Sequence, residues 1–507
     1  MKEKEQTDIL IIGSGLGGLV CAAILGSEGY KVLLVEKNKQ VGGCLQTFSR
    51  DKVIFDSGVH YIGGLEKGQN LYQIFKYLGL MDKLKLQRMD ENAFDKIIFE
   101  GDEKEYPMAQ GYDHFISRLV EMFPEEEAAI RTYCDRIKEV CNKFPLYNLR
   151  IGEGMKEKAD VLEIDTKGFI ESITKNKRLQ EVLAGNNALY AGVPDKTPFY
   201  VHALVINSYI ESSWKCVDGG SQIGKILVQK IREYGGDIIR NAEVKSIVAE
   251  NDLITHVVLA DGQKLYAKHF ISNIHPAQTL AMTDSHLIRN VYRKRLNSLE
   301  NTISSFTINA VLKKDCFPYF KHNYYYHGDD DAVWNGWKYD EDSWPRNYAF
   351  FLSANSKSTE YAEALSLLTY MDYNDVAKWK DSFNTTSNIE DRGEDYEAFK
   401  IRKAEKLLDM AEKRFPGLRN CIEKYYVATP LSYRDYIGNA DGSLYGIMKD
   451  YRDPLKTFIS PRTKIPNLYL TGQNLVLHGI LGVTISALVT CSSFTDLEVL
   501  VEKIRNA

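Results

Sequence analysis

The chain has 507 residues, of which 44% are apolar and 26% charged, with a formal net charge of −5 at pH 7. That length exceeds what one simple core accommodates and predicts two connected domains. The slight acidity gives no reason to expect nucleic-acid binding, and no apolar run reaches the ~20 residues that span a bilayer.

Residues 1–7 read as a short charged lead with no signal-peptide pattern. Ile9-Leu10-Ile11-Ile12 then reads as a strand, Gly13-Ser14-Gly15-Leu16-Gly17-Gly18 as a glycine turn, and Leu19 to Ser27 as a helix. A second strand, Lys31 to Val35, ends on Glu36. This is the order of a dinucleotide-binding βαβ unit. Gly13 permits the tight turn, Gly15 the approach of backbone to a pyrophosphate, and Gly18 close helix–strand packing. The helix N-terminus offers N–H groups and a dipole to the phosphate charge. Glu36 stands roughly 20 residues on, where an acid accepts hydrogen bonds from ribose hydroxyls, and it would repel the 2′-phosphate of NADP. Val41-Gly42-Gly43-Cys44-Leu45-Gln46-Thr47 is a second glycine turn directly after the acid.

Phe55 to Gly64 predicts a strand entering a cofactor-facing loop that carries His60 and Tyr61, and Tyr72 to Leu80 has helical spacing. Between about 110 and 190, apolar residues such as Phe115, Leu119, Ile130, Tyr133 and Ile137 recur at three- and four-residue intervals, predicting a helical insertion. After Gly219-Gly220 come a helix at Gln222 to Tyr234 and strands at Asp237 to Arg240, Val244 to Glu250, Thr255 to Leu259 and His269 to Ser272. Strands at Ser304 to Leu312, Asn347 to Ser353 and Leu365 to Asp372 follow. A long amphipathic helix ending before Pro416-Gly417, rich in charge from Glu394 to Arg414, is then expected to present a solvated face. The aromatic residues of 324–351 (Tyr324, Tyr325, Tyr326, Trp334, Trp337, Trp344, Tyr348, Phe350 and Phe351) could line a tunnel for a flat conjugated chain. Packing in half-buried strands is the expected role for most of them. The strand Asn467 to Thr471, Gly472-Gln473-Asn474 and the helix Gly482 to Ser492 predict a second cradle of backbone donors. The run 480–494 reads as a buried helix. Eight cysteines without a CxxC argue against a zinc site and a disulfide framework, and no metal is expected. The compartment expected is reducing, as in a cytoplasm.

Together these residues resemble the phytoene desaturase-like flavoproteins, the group of carotenoid desaturases, carotenoid isomerases and retinol saturases. Four stretches carry the resemblance: 13–47, 219–247, 428–446 and 467–487. The second glycine turn resembles the extension of FAD-binding two-dinucleotide-fold flavoproteins. Gly58-Val59-His60-Tyr61-Ile62-Gly63 looks most like the retinol saturase branch. The resemblance implies an α/β fold in which a Rossmann-like FAD-binding domain of the GR2 type is interleaved with an α+β substrate domain. The divisions expected are 1–110, 215–300 and 430–507 for FAD, and 111–214 and 301–429 for substrate. It implies FAD at Gly13, Ser14, Gly15, Leu16, Gly17 and Gly18, with Glu36 at the adenosine ribose. Gly42 and Gly43 would lie along the ribityl chain and Val244 at the adenine, with Gly472, Asn474, Gly482 and Val483 at the flavin; Lys37, Cys44 and Leu45 would also bind the cofactor. Many such proteins carry an acid where Asn474 stands.

The resemblance implies hydride exchange between flavin and a double bond of an isoprenoid or other polyene lipid. The proton would come from a nearby acid, with His60, Tyr61 and His478 as candidates. Saturation is preferred over desaturation and cis–trans isomerisation. NAD(P)H, a quinone and oxygen all stand as electron partners, and the inner face of a membrane as a candidate contact. Two other classes share the fold: amine oxidases, and noncatalytic prenyl-chain binders like the Rab escort proteins and GDP-dissociation inhibitors. The intact phosphate cradle and Glu36 argue against the second.

Overall fold

A computed structural model describes residues 7–439 and 441–507; the charged lead at 1–6 lies outside the described residues. The first sheet is parallel and built from three distant parts of the chain. Its strand order is Asp237–Ile239, Val32–Val35, Ile9–Ile12, His269–Ser272 and Leu468–Leu470. Ile9 stands opposite both Val32 and His269, so the first strand is central. Such a strand is covered on both faces, which is why its four residues are all apolar and all buried.

The helix Leu16–Ser27 is buried over all but its last residue. It packs against the helices Gly479–Cys491 and Ser221–Glu233. An apolar residue on every side of a helix is what such a central position requires. It starts three residues earlier than its apolar run suggests, because Gly17 and Gly18, poor helix formers, are held by contact. A Cβ on Gly18 would sit 2.2 Å from the Gly13 carbonyl oxygen.

A seven-stranded sheet forms the second layer. Its order is Ile422–Ala428, Ser304–Leu312, Ala364–Met371, Asn347–Leu352, Asn323–His327, Asp95–Phe99 and Tyr106–Met108. The pairing is antiparallel except between Asn323–His327 and Asp95–Phe99, which run parallel. The last two strands correct the boundary expected at residue 110: they lie before it, yet they pair with the strands of 301–429. The aromatic residues divide by strand alternation. Tyr324, Tyr326, Tyr348 and Phe350 pack with Leu407, Leu408 and Ala411 of the helix Glu394–Arg414. Tyr325, Ala349 and Phe351 point the other way, into the core shared with the helices of 112–211.

The helix Glu394–Arg414 has Glu394, Asp395 and Glu397 in its first turn and Lys413 and Arg414 in its last, the arrangement that complements a helix dipole. Its charge is not all solvated: Lys403 is 1% exposed and reaches Glu341 at 2.8 Å.

The cysteines also depart from expectation. Cys316 and Cys421 are joined by a disulfide across 105 residues, while the other six are free. Spacing alone could not pair them, because the sheet brings them together. Closing so long a loop restricts the unfolded chain, so reduction is expected to cost about 2–5 kcal/mol of stability. Urea unfolding with and without a thiol reductant measures it; equal midpoints would mean that the bond is absent or idle. No helix among the described residues is long and apolar enough to cross a membrane, and no cluster of potential metal ligands occurs among them.

Candidate functional site

One cavity of about 1060 Å³ runs through the junction of these layers. Pockets for drug-sized ligands are typically ~300–1,000 Å³, so this one has room for more than one small molecule.

At one end the wall is backbone. Gly13, at φ +93°, turns the chain, and Gly15 caps the helix Leu16–Ser27 with no side-chain hydrogen bond. The second glycine turn leans on the first: a Cβ on Gly43 would stand 3.1 Å from Gly15 Cα. The turn after the last strand closes on the same helix, since a Cβ on Gly17 would be 3.1 Å from Gly472 Cα. The helix Gly479–Cys491 likewise begins without a side-chain cap, on His478. Two helices thus bring uncapped N-termini to one cavity, each with no acidic residue in its first turn. Orphan N–H groups and the positive dipole end suit anionic or carbonyl oxygens.

Glu36 is 6% exposed. Its Oε2 accepts from Ser14 N at 2.9 Å and from Ser14 Oγ, and its Oε1 accepts from Asn38 N at 2.8 Å. A carboxylate has about four acceptor positions, so one remains for a ribose hydroxyl. Lys37 Nζ donates to the Asp435 carbonyl at 3.0 Å. Asn474 Oδ1 accepts from Ile447 N at 2.9 Å. Cys44 is a protonated thiol, because burial pushes it up to about 11. Leu45 and Val244 are buried in the wall. Every residue named for a dinucleotide from sequence lines the cavity except Gly18, which lies against Gly13. Gly482 serves packing as well, since a Cβ there would meet the Leu477 carbonyl at 2.7 Å. An FAD fits this donor set: a glycine cradle beside an uncapped helix for the pyrophosphate, an acid for the ribose, and a second uncapped helix for the flavin ring.

The other end is apolar and ringed by tyrosines. His60 stacks on Phe351 with ring centroids 4.4 Å apart and planes 4° from parallel. Tyr61 lies 4.5 Å from Tyr209, centroid to centroid. His478 sits by the second cradle, where its Nε2–H donates to the Leu189 carbonyl at 3.0 Å and its ring lies 4.3 Å from Tyr445. Burial holds both imidazoles at about 4, so neither is a cation near neutral pH. Tyr61 has the richest partners: its hydroxyl donates to Asp95 Oδ2 at 2.8 Å and lies 2.7 Å from the Tyr325 hydroxyl.

Asp95 was not singled out from sequence. It is fully buried and also accepts from Asn323 Nδ2 at 3.0 Å and Asn186 Nδ2 at 3.3 Å. Burial pushes its carboxyl up to about 6, against the pull of those donors. Lys215, 1% exposed, was missed too: its Nζ donates to the Leu352 carbonyl at 2.8 Å, and burial lowers it to about 7. The available signal was a lone aspartate opening the apolar strand Asp95-Lys96-Ile97-Ile98-Phe99 and a lysine within the strand Ser213–Cys216.

The chain matches an NAD(P)-binding Rossmann-like domain over residues 11–78. It is 28% identical to the human all-trans-retinol 13,14-reductase, covering 99% of this chain and 88% of that protein. It is 26% identical to the chloroplastic prolycopene isomerase of Daucus carota, covering 87% and 72%. The chain is thus similar along most of its length to a retinol reductase and to a prolycopene isomerase. Among solved structures, a fatty acid isomerase from P. acnes that produces CLA superposes with a TM-score of 0.60 at 14% identity, covering 97% of this chain and all of the other, which is a likeness of fold.

Proposed function

We propose that this chain is an FAD-dependent oxidoreductase that saturates a carbon–carbon double bond in an isoprenoid or other polyene lipid. One observation carries the reading: a single cavity joins the two glycine cradles to an apolar chamber walled by His60, Tyr61, Tyr325 and Phe351. The sequence relatives, a retinol reductase and a carotenoid isomerase, support a polyene substrate.

Gly13, Ser14, Gly15 and Gly17 would hold the pyrophosphate and Glu36 the adenosine ribose. Gly42, Gly43, Cys44 and Leu45 would follow the ribityl chain, and Gly472, Asn474, Gly482 and Val483 the flavin end. An FAD held there would supply hydride-transfer chemistry toward a double bond. The chain's own residues do the rest. Phe351 and the tyrosine rings lie flat against a conjugated chain and exclude water, and Tyr61 delivers the proton to one carbon of that bond. His60 and His478, neutral and packed on Phe351 and Tyr445, orient the substrate.

Anaerobic mixing of the reduced, flavin-loaded protein with retinol, carotenoid, polyene fatty-acid and amine panels tests the reading. Flavin reoxidation with loss of one double bond is expected with a polyene; reoxidation by amines alone would replace it with the amine-oxidase reading. Reduction by NAD(P)H in place of dithionite tests NAD(P)H as donor. A lipid surface is the expected source of substrate, since Ile151 and Phe458 line the cavity yet are 45% and 44% exposed. Co-sedimentation with anionic vesicles that weakens in Ile151→Asp and Phe458→Asp is the expected result, and unchanged sedimentation would reject that surface.

A further inference from the structure

The cavity wall is backed by a hydrogen-bonded carboxyl that no catalytic candidate from sequence included. Asp95 opens the strand Asp95–Phe99, directly opposite Asn323 of the neighbouring parallel strand. Its Oδ2 meets Tyr61 and Asn186, and its Oδ1 meets Asn323. Asp95 does not line the cavity, whereas Tyr61 and Tyr325 both do. Among the described residues, Tyr61 is therefore the one hydrogen-bond partner of Asp95 that lines the cavity.

The two amides complete the case. Asn186 Oδ1 and Asn323 Oδ1 are buried acceptors with no hydrogen-bond partner. Unpaired buried acceptors are costly and call for an explanation. Turning either amide through 180° replaces the donor facing Asp95 with an acceptor. The pocket then meets both charge states: amide N–H groups for the carboxylate, an amide oxygen for the carboxylic acid.

We propose that Asp95 is the proton store behind Tyr61 and decides whether that phenol has a proton to give; this rests on the saturating reading above. With Asp95 ionised, the Tyr61 O–H points back at the carboxylate and offers the cavity no hydrogen. With Asp95 protonated, the carboxyl donates to Tyr61 Oη, and the phenol hydrogen is released to turn into the cavity. During saturation one alkene carbon takes the hydride equivalent and the other takes the Tyr61 proton. The Asp95 proton passes to Tyr61 Oη, and water later returns one proton to Asp95. The sum is one hydride and one proton added across the double bond, with two electrons drawn from the reduced flavin. Tyr325, whose hydroxyl lies 2.7 Å from that of Tyr61, holds it in line.

The field at Asp95 comes from groups on several elements. Tyr61, Asn186 and Asn323 stabilise the charged form through hydrogen bonds, and Lys215 does so through its charge, while burial opposes them. Tyr209 and Tyr325 complete the surrounding tyrosine ring, and each feels the Asp95 charge.

The test uses the flavin-loaded protein and two variants, Asp95→Asn and Asn323→Leu. Anaerobic single turnover in wild type is expected to slow as pH rises through about 6. Asp95→Asn is expected to keep its flavin, to lose this limb, and to fall roughly 100-fold or more at low pH, within the range of general acid catalysis. Asn323→Leu removes a donor to the carboxylate and is expected to move the limb up by about one pH unit. Infrared titration gives a readout independent of turnover: a carboxylic-acid band fading near pH 6 in wild type and missing in Asp95→Asn. A limb and rate unchanged in Asp95→Asn, an Asn323→Leu limb that does not move, or a wild type without that band would each overturn the proposal. Wild-type protein that no polyene reoxidises would overturn the saturating reading and this step with it, and is told apart because the infrared band would still titrate.

Discussion

Gly17→Val is expected to weaken flavin binding while leaving most of the fold standing. The added Cβ would fall 2.6 Å from Asn273 Oδ1 and 3.1 Å from Gly472 Cα. Asn273 has little freedom to retreat, since its Nδ2 donates to the Gly13 carbonyl at 3.3 Å. The substitution therefore pushes the terminal cradle away from the first glycine turn. Overpacking of this kind costs about 1–3 kcal/mol. Where that cost falls on closure around the cofactor, it corresponds to roughly 5- to 150-fold weaker binding. Fluorescence titration of the apoprotein with FAD measures the loss, and thermal unfolding of the apoprotein separates it from a general failure to fold. Wild-type affinity in Gly17→Val would mean that the contact between the cradles is unimportant.

Tyr61→Phe is the second large effect. It removes the only hydroxyl among the described residues that hydrogen-bonds the buried carboxyl and lines the cavity, while the ring keeps its place beside Tyr209. The rate of alkene reduction is expected to fall about 10²- to 10⁴-fold, the usual contribution of a positioned acid. Flavin binding should hold, because the hydrogen-bond and ring partners of Tyr61 are Asp95, Tyr325, Tyr209 and Phe351. The loss belongs in the chemical step, so substrate affinity is expected to change little. Single-turnover kinetics read this split. A variant within about threefold of wild type would transfer the proton role to another group, with Tyr325 next in line by position.

The contrast between these residues shows what a sequence makes legible. Gly13 to Glu36 is a local pattern: strand, turn, helix and acid follow one another, so the chemistry can be read without the tertiary structure. The strands Val244–Glu250, His269–Ser272 and Ser304–Leu312 and the helix Glu394–Arg414 also fall where their periodicity and bounding residues place them. The helix Gly479–Cys491 begins three residues before its expected start, because the positive φ of Gly479 (+73°) and the His478 cap, not apolar periodicity, define its first turn.

The Asp95 cluster is of another kind. Tyr61 and Tyr325 are 264 residues apart, and Asp95 and Asn323 are 228 apart. Their meeting depends on a parallel pairing inside a mostly antiparallel sheet, which no local pattern announces. The disulfide belongs to this class as well. Aromatic clustering was visible, yet only the strand register separates Tyr325 and Phe351, which face the cavity, from Tyr324 and Phe350, which face the long helix. Alternation predicts that such a division exists, while the identity of each face comes from what packs there.

The flavin content of the purified chain bears on all of this at once. Released by denaturation and separated by chromatography, one FAD per polypeptide is the expected yield, with binding restored when the stripped protein is given FAD. A colourless protein that takes up no FAD at saturating concentration would contradict the claim that the two cradles close on one cofactor.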